Sequence, residues 1–293
     1  MIDNNRKIRF GMVIGSGGIQ SLAALPLLNF LNERGIQIDV LAGCGGGAVL
    51  GALFGMGFSP DDITAHMSQL FNQKTILQVN YSGLINVLTL MGITAFSHFG
   101  LKDTFLKVER IRECYRSIFK QKKLSHLKIK TLVQATDWHK GEGVVLEEGL
   151  LSDVLYSSNA LFPFQPPLEL ENKLLVTGTY TGAVPVLATS KYELDLVAII
   201  GFAQRKFSKL KGIIEYYCNL INYSFTHLQR GQLLLHTFAD KRELAPILIA
   251  PEESIGLWDH GKIKDILNTG EKIKDKYGPL LLAMIDNLMK MKR

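Results

Sequence analysis

The run Val40-Leu41-Ala42-Gly43-Cys44-Gly45-Gly46-Gly47-Ala48-Val49 has the spacing of a nucleophile elbow, G-x-S-x-G, at the end of a strand. Such a turn serves acyl chemistry. It lifts a serine oxygen into the open, and glycines on either side let the backbone fold tightly. Gly43 and Gly47 supply the flanking glycines, with Gly46 between tip and end, but the serine's own position is Gly45. The atom that would attack a carbonyl is absent. Upstream, Gly15-Ser16-Gly17-Gly18 follows a strand and opens a helix. The amides of Gly15, Gly17 and Gly18 there are suited to an anion or an oxyanion.

Other groups offer weak substitutes. Cys44 stands one place before the tip, and thiolates are strong nucleophiles. Neighbours in a tight turn point in different directions, however, and no histidine is close in sequence, so Cys44 reads as a small buried residue. Ser16 is better placed to cap the following helix than to attack. Ser157 and Ser158 read as packing or capping residues of a short helix. The glycine loop lacks the Lys-Ser/Thr of a phosphate-binding P-loop. The seven histidines show no metal-ligand spacing, so neither a metal nor a cofactor is expected.

The elements that must position these groups alternate between strand and helix. Strands are expected at 8–14, 36–42, 128–136, 142–146, 173–176 and 194–201, and helices at about 20–34, 48–56, 101–119 and 151–160. Ser59-Pro60-Asp61-Asp62 marks another helix start, with serine at the N-cap, proline in the first turn and acids beside it. The stretches 210–235 and 262–292 read as amphipathic helices. Alternation of this kind implies an α/β fold with a largely parallel sheet and helices on both faces. Residues 76–101 carry no charge and no clear period, which suits either a lid or a wall. No linker or repeat divides the chain.

Composition narrows the class. The chain has 293 residues, 47% of them hydrophobic and 20% charged, as in a folded globular protein. A net charge of +6 favours anionic surfaces, such as lipid headgroups or an acidic partner. Without an arginine-rich arm or basic-aromatic run, nucleic acid is not an expected partner. Cys44, Cys114 and Cys218 form no disulfide framework, and the first residues lack the apolar core of a signal peptide, so a cytoplasmic location is expected. The basic C-terminal helix suits packing on the body, or contact with the inner face of an anionic membrane.

The glycine loop, the elbow after the second strand and the later Thr177-Gly178 turn, in this order, resemble the patatin-like phospholipase family in its bacterial form. Ala135-Thr136-Asp137, the run Leu155-Tyr156-Ser157-Ser158-Asn159-Ala160-Leu161-Phe162-Pro163 and Leu228-Gln229-Arg230-Gly231-Gln232 extend the likeness over nearly the whole chain. The resemblance implies a patatin-like three-layer α/β sandwich in one domain, 1–293, with a core at about 8–205 and a helical extension at about 206–293. It also implies a Ser-Asp dyad for lipid acyl hydrolysis. Position by position, the oxyanion loop keeps its glycines but has Gln20 where a basic residue is usual and Ser21 where a glycine is usual. The nucleophile is Gly45, and the aspartate of the Asp-Gly pair is Thr177, followed by Gly178. Threonine cannot accept a proton near neutral pH.

Removing the nucleophile of a serine hydrolase costs about a millionfold in turnover. Here the base is replaced as well, so hydrolysis is expected to be absent or very low. The elbow's backbone is strained for a side-chain-bearing residue by about 1–3 kcal/mol, and glycine relieves that strain. The expected role is binding of an acyl chain or lipid, or support of a partner enzyme. Acyl transfer, cyclisation or lyase chemistry on the same scaffold is an alternative, and peripheral membrane binding is another. Gly45→Ser together with Thr177→Asp is the expected route back to some activity.

Overall fold

A computed structural model describes residues 7–72, 104, 107–203, 213–240, 242–251, 255 and 260–292 of the chain. The stretch 76–101, expected as lid or wall, lies outside the described residues, as does the side chain of Cys218.

Three strands make the centre of the sheet: β1 (Phe10–Ile14), β2 (Val40–Cys44) and β7 (Leu196–Phe202), and every residue of each is buried. Strands buried on both faces read as continuous apolar runs, which is how parallel sheets are built. β1 pairs in parallel with β2 on one side and β7 on the other. β3 (Lys130–Asp137) pairs in parallel with β2, and β8 (Glu243–Ile249) with β7. Three further strands run antiparallel: β4 (Glu142–Leu146) on β3, β6 (Lys173–Thr177) on β3, and β5 (Leu168–Leu170) on β6. The order is β5-β6-β3-β2-β1-β7-β8, with β4 off this path against β3. This is a mostly parallel α/β sheet.

Alternate strand residues feed cores on opposite faces. Phe10, Met12, Ile14 and Leu41 pack with α1 (Leu25–Glu33), α2 (Gly46–Met56) and α8 (Ile263–Met291). Val13, Val40, Ala42 and Val197 pack with Leu233 of α7 (Ile213–Ala239) and with Val184 and Val186. Helices therefore cover both faces. The helix expected from residue 20 begins as a 3-10 turn, Gly18–Ala24, and becomes α1 only at Leu25, with Pro26 in its first turn. Proline lacks the N–H that an uninterrupted helix would need there. At α3 (Pro60–Leu70) the Ser59 Oγ accepts the Asp62 N–H at 3.2 Å, a cap contributing about 1 kcal/mol.

The tail differs from its helical expectation in one respect, since β8 joins the central sheet between the two long helices. α8 lies on α1 and the 3-10 turn, where Gly270 and Gly278 pass close to the Ala23 carbonyl and the Phe30 ring. Among the described residues no helix is long and apolar enough to cross a membrane.

Candidate functional site

The site forms where the C-terminal ends of β1, β2 and β7 meet the end of β6. β2 pairs with β3 as far as Cys44 opposite Gln134, and β6 takes up β3 at the next residue, Thr177 opposite Ala135. The last residues of β2 and β6 thus arrive side by side along one strand. That register brings Thr177, 132 positions downstream, next to the elbow.

The turn after β2 has the geometry of an elbow. Gly45 adopts φ +55° and ψ −126°, a region that residues with side chains enter only with strain. At Gly46 a Cβ would stand 2.1 Å from the Gly18 carbonyl oxygen, so only glycine lets the turn lie this close to the glycine loop after β1. α5 (Leu151–Asn159) holds the tip at both ends. The Gly45 N–H donates to Ser158 Oγ at 3.0 Å, and Asn159 Nδ2 donates to the Gly45 carbonyl at 3.1 Å. Ser158 Oγ in turn donates to the Gln134 carbonyl on β3 at 2.7 Å.

A side chain at the elbow tip would crowd its neighbour. A Cβ at position 45 would lie 2.7 Å from Ser16 Oγ and 3.4 Å from Ser16 Cβ. Ser16, from the glycine loop after β1, has placed its hydroxyl over the tip of the elbow. Thr179 Oγ1 donates to that hydroxyl at 2.8 Å and lies 2.9 Å from Thr177 Oγ1. Thr177 Oγ1 donates to the Ser158 carbonyl at 2.9 Å. A chain of three neutral hydroxyls, Thr177, Thr179 and Ser16, therefore runs from the base position to the nucleophile position. Hydroxyls of this kind neither accept a proton near pH 7 nor activate one another.

The remaining candidates fall into place around it. Gly17 and Gly18 line a cavity of about 50 Å³ above Gly45, together with Ser16, Gln20, Asn159 and Thr177. A buried water needs roughly 10–15 Å³, so the space fits about four waters or a carbonyl-sized group. Neither the Gly17 nor the Gly18 N–H has a hydrogen-bond partner among the described residues. Gly15 is not free in this way, since its N–H donates to the Ile200 carbonyl and a Cβ there would meet Gln229 Oε1 at 2.9 Å. Gly43 abuts Ala48, Gly47 abuts the Ile14 carbonyl, and Gly178 abuts the Gln134 carbonyl; each permits close backbone approach and none faces the cavity. Gln20 is buried, donates Nε2 to the Ile255 carbonyl at 2.7 Å, and keeps an unpartnered Oε1.

Cys44 is fully buried. Burial pushes its thiol up to about 12, against the smaller opposing pull of hydrogen bonds with Thr179, Ser158 and Ser16. It stays protonated at physiological pH and is no nucleophile. Asp137 does not reach the cavity; its carboxylate accepts the His139 N–H at 3.0 Å within the β3–β4 turn. Among the described residues no cluster of His, Cys, Asp or Glu is placed to hold a metal ion.

Sequence reasoning passed over the residues that fix the loops. Gln229 on α7 donates Nε2 to the Ser16 carbonyl at 2.9 Å and accepts the Phe202 N–H at 2.8 Å. Gln232, nearly one turn on, accepts the Val184 N–H at 3.0 Å and donates to the Thr181 carbonyl at 3.2 Å. The signal in the sequence is two carboxamides three apart on one helix face, Gln229 and Gln232.

A family model described as patatin-like phospholipase matches residues 12–189. An uncharacterized NTE family protein of Mycobacterium bovis is 27% identical over 192 residues, covering 66% of this chain and 48% of that protein. Patatin-like phospholipase domain-containing protein 7 of Rattus norvegicus is 27% identical over 196 residues, covering 66% of this chain and 14% of its own length. The chain thus spans about half of the first relative and far less of the second. Among solved structures, VipD from Legionella pneumophila aligns with a TM-score of 0.48 at 11% identity, covering 93% of this chain and 67% of that one. The type III effector ExoU of Pseudomonas aeruginosa aligns with a TM-score of 0.39 at 13% identity, covering 92% and 53%. The family match covers more than half of the residues and contains the glycine loop, the elbow and the Thr177-Gly178 turn, and the chain belongs to the patatin-like phospholipase family.

Proposed function

We propose that this chain is a catalytically impaired patatin-like protein that binds an acyl or lipid ligand in the former substrate cleft. It acts in lipid or acyl-chain metabolism by holding that ligand or by supporting a partner enzyme. The observation that carries the reading is an elbow tip with no side chain at Gly45, the Ser16 hydroxyl 2.7 Å from where one would begin, and Thr177 at the base position. Loss of the nucleophile alone removes about six orders of magnitude of turnover. The unpartnered Gly17 and Gly18 amides still offer two donors to a carbonyl oxygen, and such donors keep their value for binding when the attack step is gone. The net charge of +6 supports contact with an anionic membrane surface.

The test is hydrolysis of p-nitrophenyl butyrate and of phospholipid by the purified full chain, beside a Gly17→Ala/Gly18→Ala control. Turnover equal to that of the control is expected, while turnover well above it refutes catalytic impairment. Native mass spectrometry of the same sample is expected to show a retained acyl compound.

A further inference from the structure

A long surface helix ordinarily turns its apolar face to the body and its polar face to water. α7 does the reverse. Among its described side chains the buried ones are Asn219, Asn222, Thr226, Gln229, Leu233 and His236, five of them polar. Its outward face carries Tyr216, Leu220, Leu234 and Leu235, each between 57% and 64% exposed. The 27 residues of the helix include only two charged ones, Glu215 and Arg230. A face so poor in charge is built for contact rather than for solvent. Gly231 stands exposed on that face, inside the helix. Glycine weakens a helix interior relative to alanine, and it is kept where a positive φ or a close neighbour requires it. Within this chain Gly231 has neither: its φ is not positive, and a Cβ there would meet nothing within 4 Å.

We propose that this face is the interface of a homodimer, in which α7 packs antiparallel on α7 of a second copy. The face is self-complementary about residue 225. Tyr216 and Leu234 stand nine positions to either side of it, Leu220 and Gly231 five and six, and Tyr223 and His227 two. A two-fold axis at that point sets Tyr216 against the partner's Leu234 and seats Leu220 on the partner's Gly231, as an isologous interface requires. Without a side chain at 231, the two helices approach to about 8 Å rather than 10 Å. From 216 to 234 the contact runs about 27 Å. Leu248 of β8, which lies with Leu233 against Gly201, adds apolar surface near the Leu234 end. An unrelated partner needs no such symmetry. An anionic membrane calls for several basic residues beside the apolar ones, and this helix offers Arg230 alone besides its histidines. The opposite face of α7 lines the cavity and ties down Ser16 through Gln229, so pairing leaves the cavity wall in place. The inference is independent of what the cavity binds.

The experiment is sedimentation equilibrium of the full chain over about 1–100 µM, the range in which interfaces of modest size dissociate. The expected species has twice the 32.6 kDa mass of one chain and comes apart on dilution. Leu220→Glu, at an exposed position, is expected to be monomeric throughout with the circular dichroism of the parent. Gly231→Leu is expected to raise the dissociation constant about a hundredfold by holding the helices apart, while melting of the dilute monomer does not fall. That second variant decides the matter even where Leu220→Glu does not fold. A parent chain that is monomeric at every concentration overturns the inference, as does a dimer that both variants leave intact. Cosedimentation of a monomeric parent with phosphatidylglycerol vesicles, lost in Leu220→Glu, assigns the face to a membrane and overturns it as well.

Discussion

Placing a serine at the elbow tip tests how the site is packed. In Gly45→Ser the new Cβ must lie 2.7 Å from Ser16 Oγ, well inside contact distance. The backbone there, φ +55° and ψ −126°, costs a side-chain-bearing residue about 1–3 kcal/mol. Pushing Ser16 aside also breaks its hydrogen bond from Thr179, worth about 1 kcal/mol. The sum is about 2–4 kcal/mol. At roughly 2 °C per kcal/mol for a domain of this size, melting falls by about 4–8 °C, which differential scanning fluorimetry reads directly. Ser16→Gly removes the blocking hydroxyl but leaves the backbone strain. Gly45→Ser/Ser16→Gly is therefore expected to be more stable than the two single changes sum to, with a coupling of about 1–2 kcal/mol. Thr177→Asp meets its own obstacle, because Thr177 donates to the Ser158 carbonyl and a carboxylate cannot. The pair Gly45→Ser/Thr177→Asp, sufficient on sequence grounds, is thus expected to give little turnover of p-nitrophenyl butyrate until Ser16→Gly is added. Melting of Gly45→Ser within about 1 °C of the parent, with no coupling to Ser16, refutes the blocked-space argument.

Two other consequences are measurable. With its thiol held at about 12, Cys44 is thiolate in only about one molecule in ten thousand at pH 8, so peptide mapping after iodoacetamide is expected to find it unmodified until the chain unfolds; prompt alkylation in the native state contradicts its burial. Burial alone would raise the Glu147 carboxyl, but hydrogen bonds from Lys191, Lys130 and Tyr192 outweigh it and hold the group at about 2, below its ordinary 4.5. The resulting stability is fully present above pH 4.5 and is lost as pH falls toward 2. Exposure of both lysines limits it to about 1 kcal/mol, so Glu147→Gln is expected to lose about that much at pH 7 and nothing near pH 2 in urea titrations; a gap that does not close contradicts the ion-pair origin.

Much of the fold was legible because its centre is simple physics. Phe10 to Ile14, Val40 to Cys44 and Leu196 to Phe202 are apolar runs without alternation, the mark of strands covered on both faces. β8 was hidden by Pro246, which argues against a strand until its edge position is known. Pro26 marks where the 3-10 turn gives way to α1, a boundary that leucine spacing alone does not reveal. The glycine pattern announced the elbow, and Gly45 announced the absent oxygen. What stayed illegible was Ser16. Its meeting with position 45 depends on the parallel register that sets Ile14 opposite Gly43 and carries both loops to the same end of the sheet. A serine among glycines reads as a helix cap until that register is known.

That arrangement explains how the turn keeps its shape with glycine at its tip. The tip at Gly45 is held by its backbone, with its N–H on Ser158 and its carbonyl on Asn159, and Ser158 is itself tied to β3. The glycine loop after β1 is held by Gln229. None of these bonds involves a side chain at 45 or a carboxylate at 177. Exchange of serine for glycine therefore removes strain while every contact that shapes the elbow remains. With glycine at 45, the Ser16 hydroxyl lies beside the tip, hydrogen-bonded to Thr179. The Ser16 hydroxyl opposes a side chain at 45, since any such side chain must displace it. The two-position coupling between 16 and 45 is the quantity that measures this opposition.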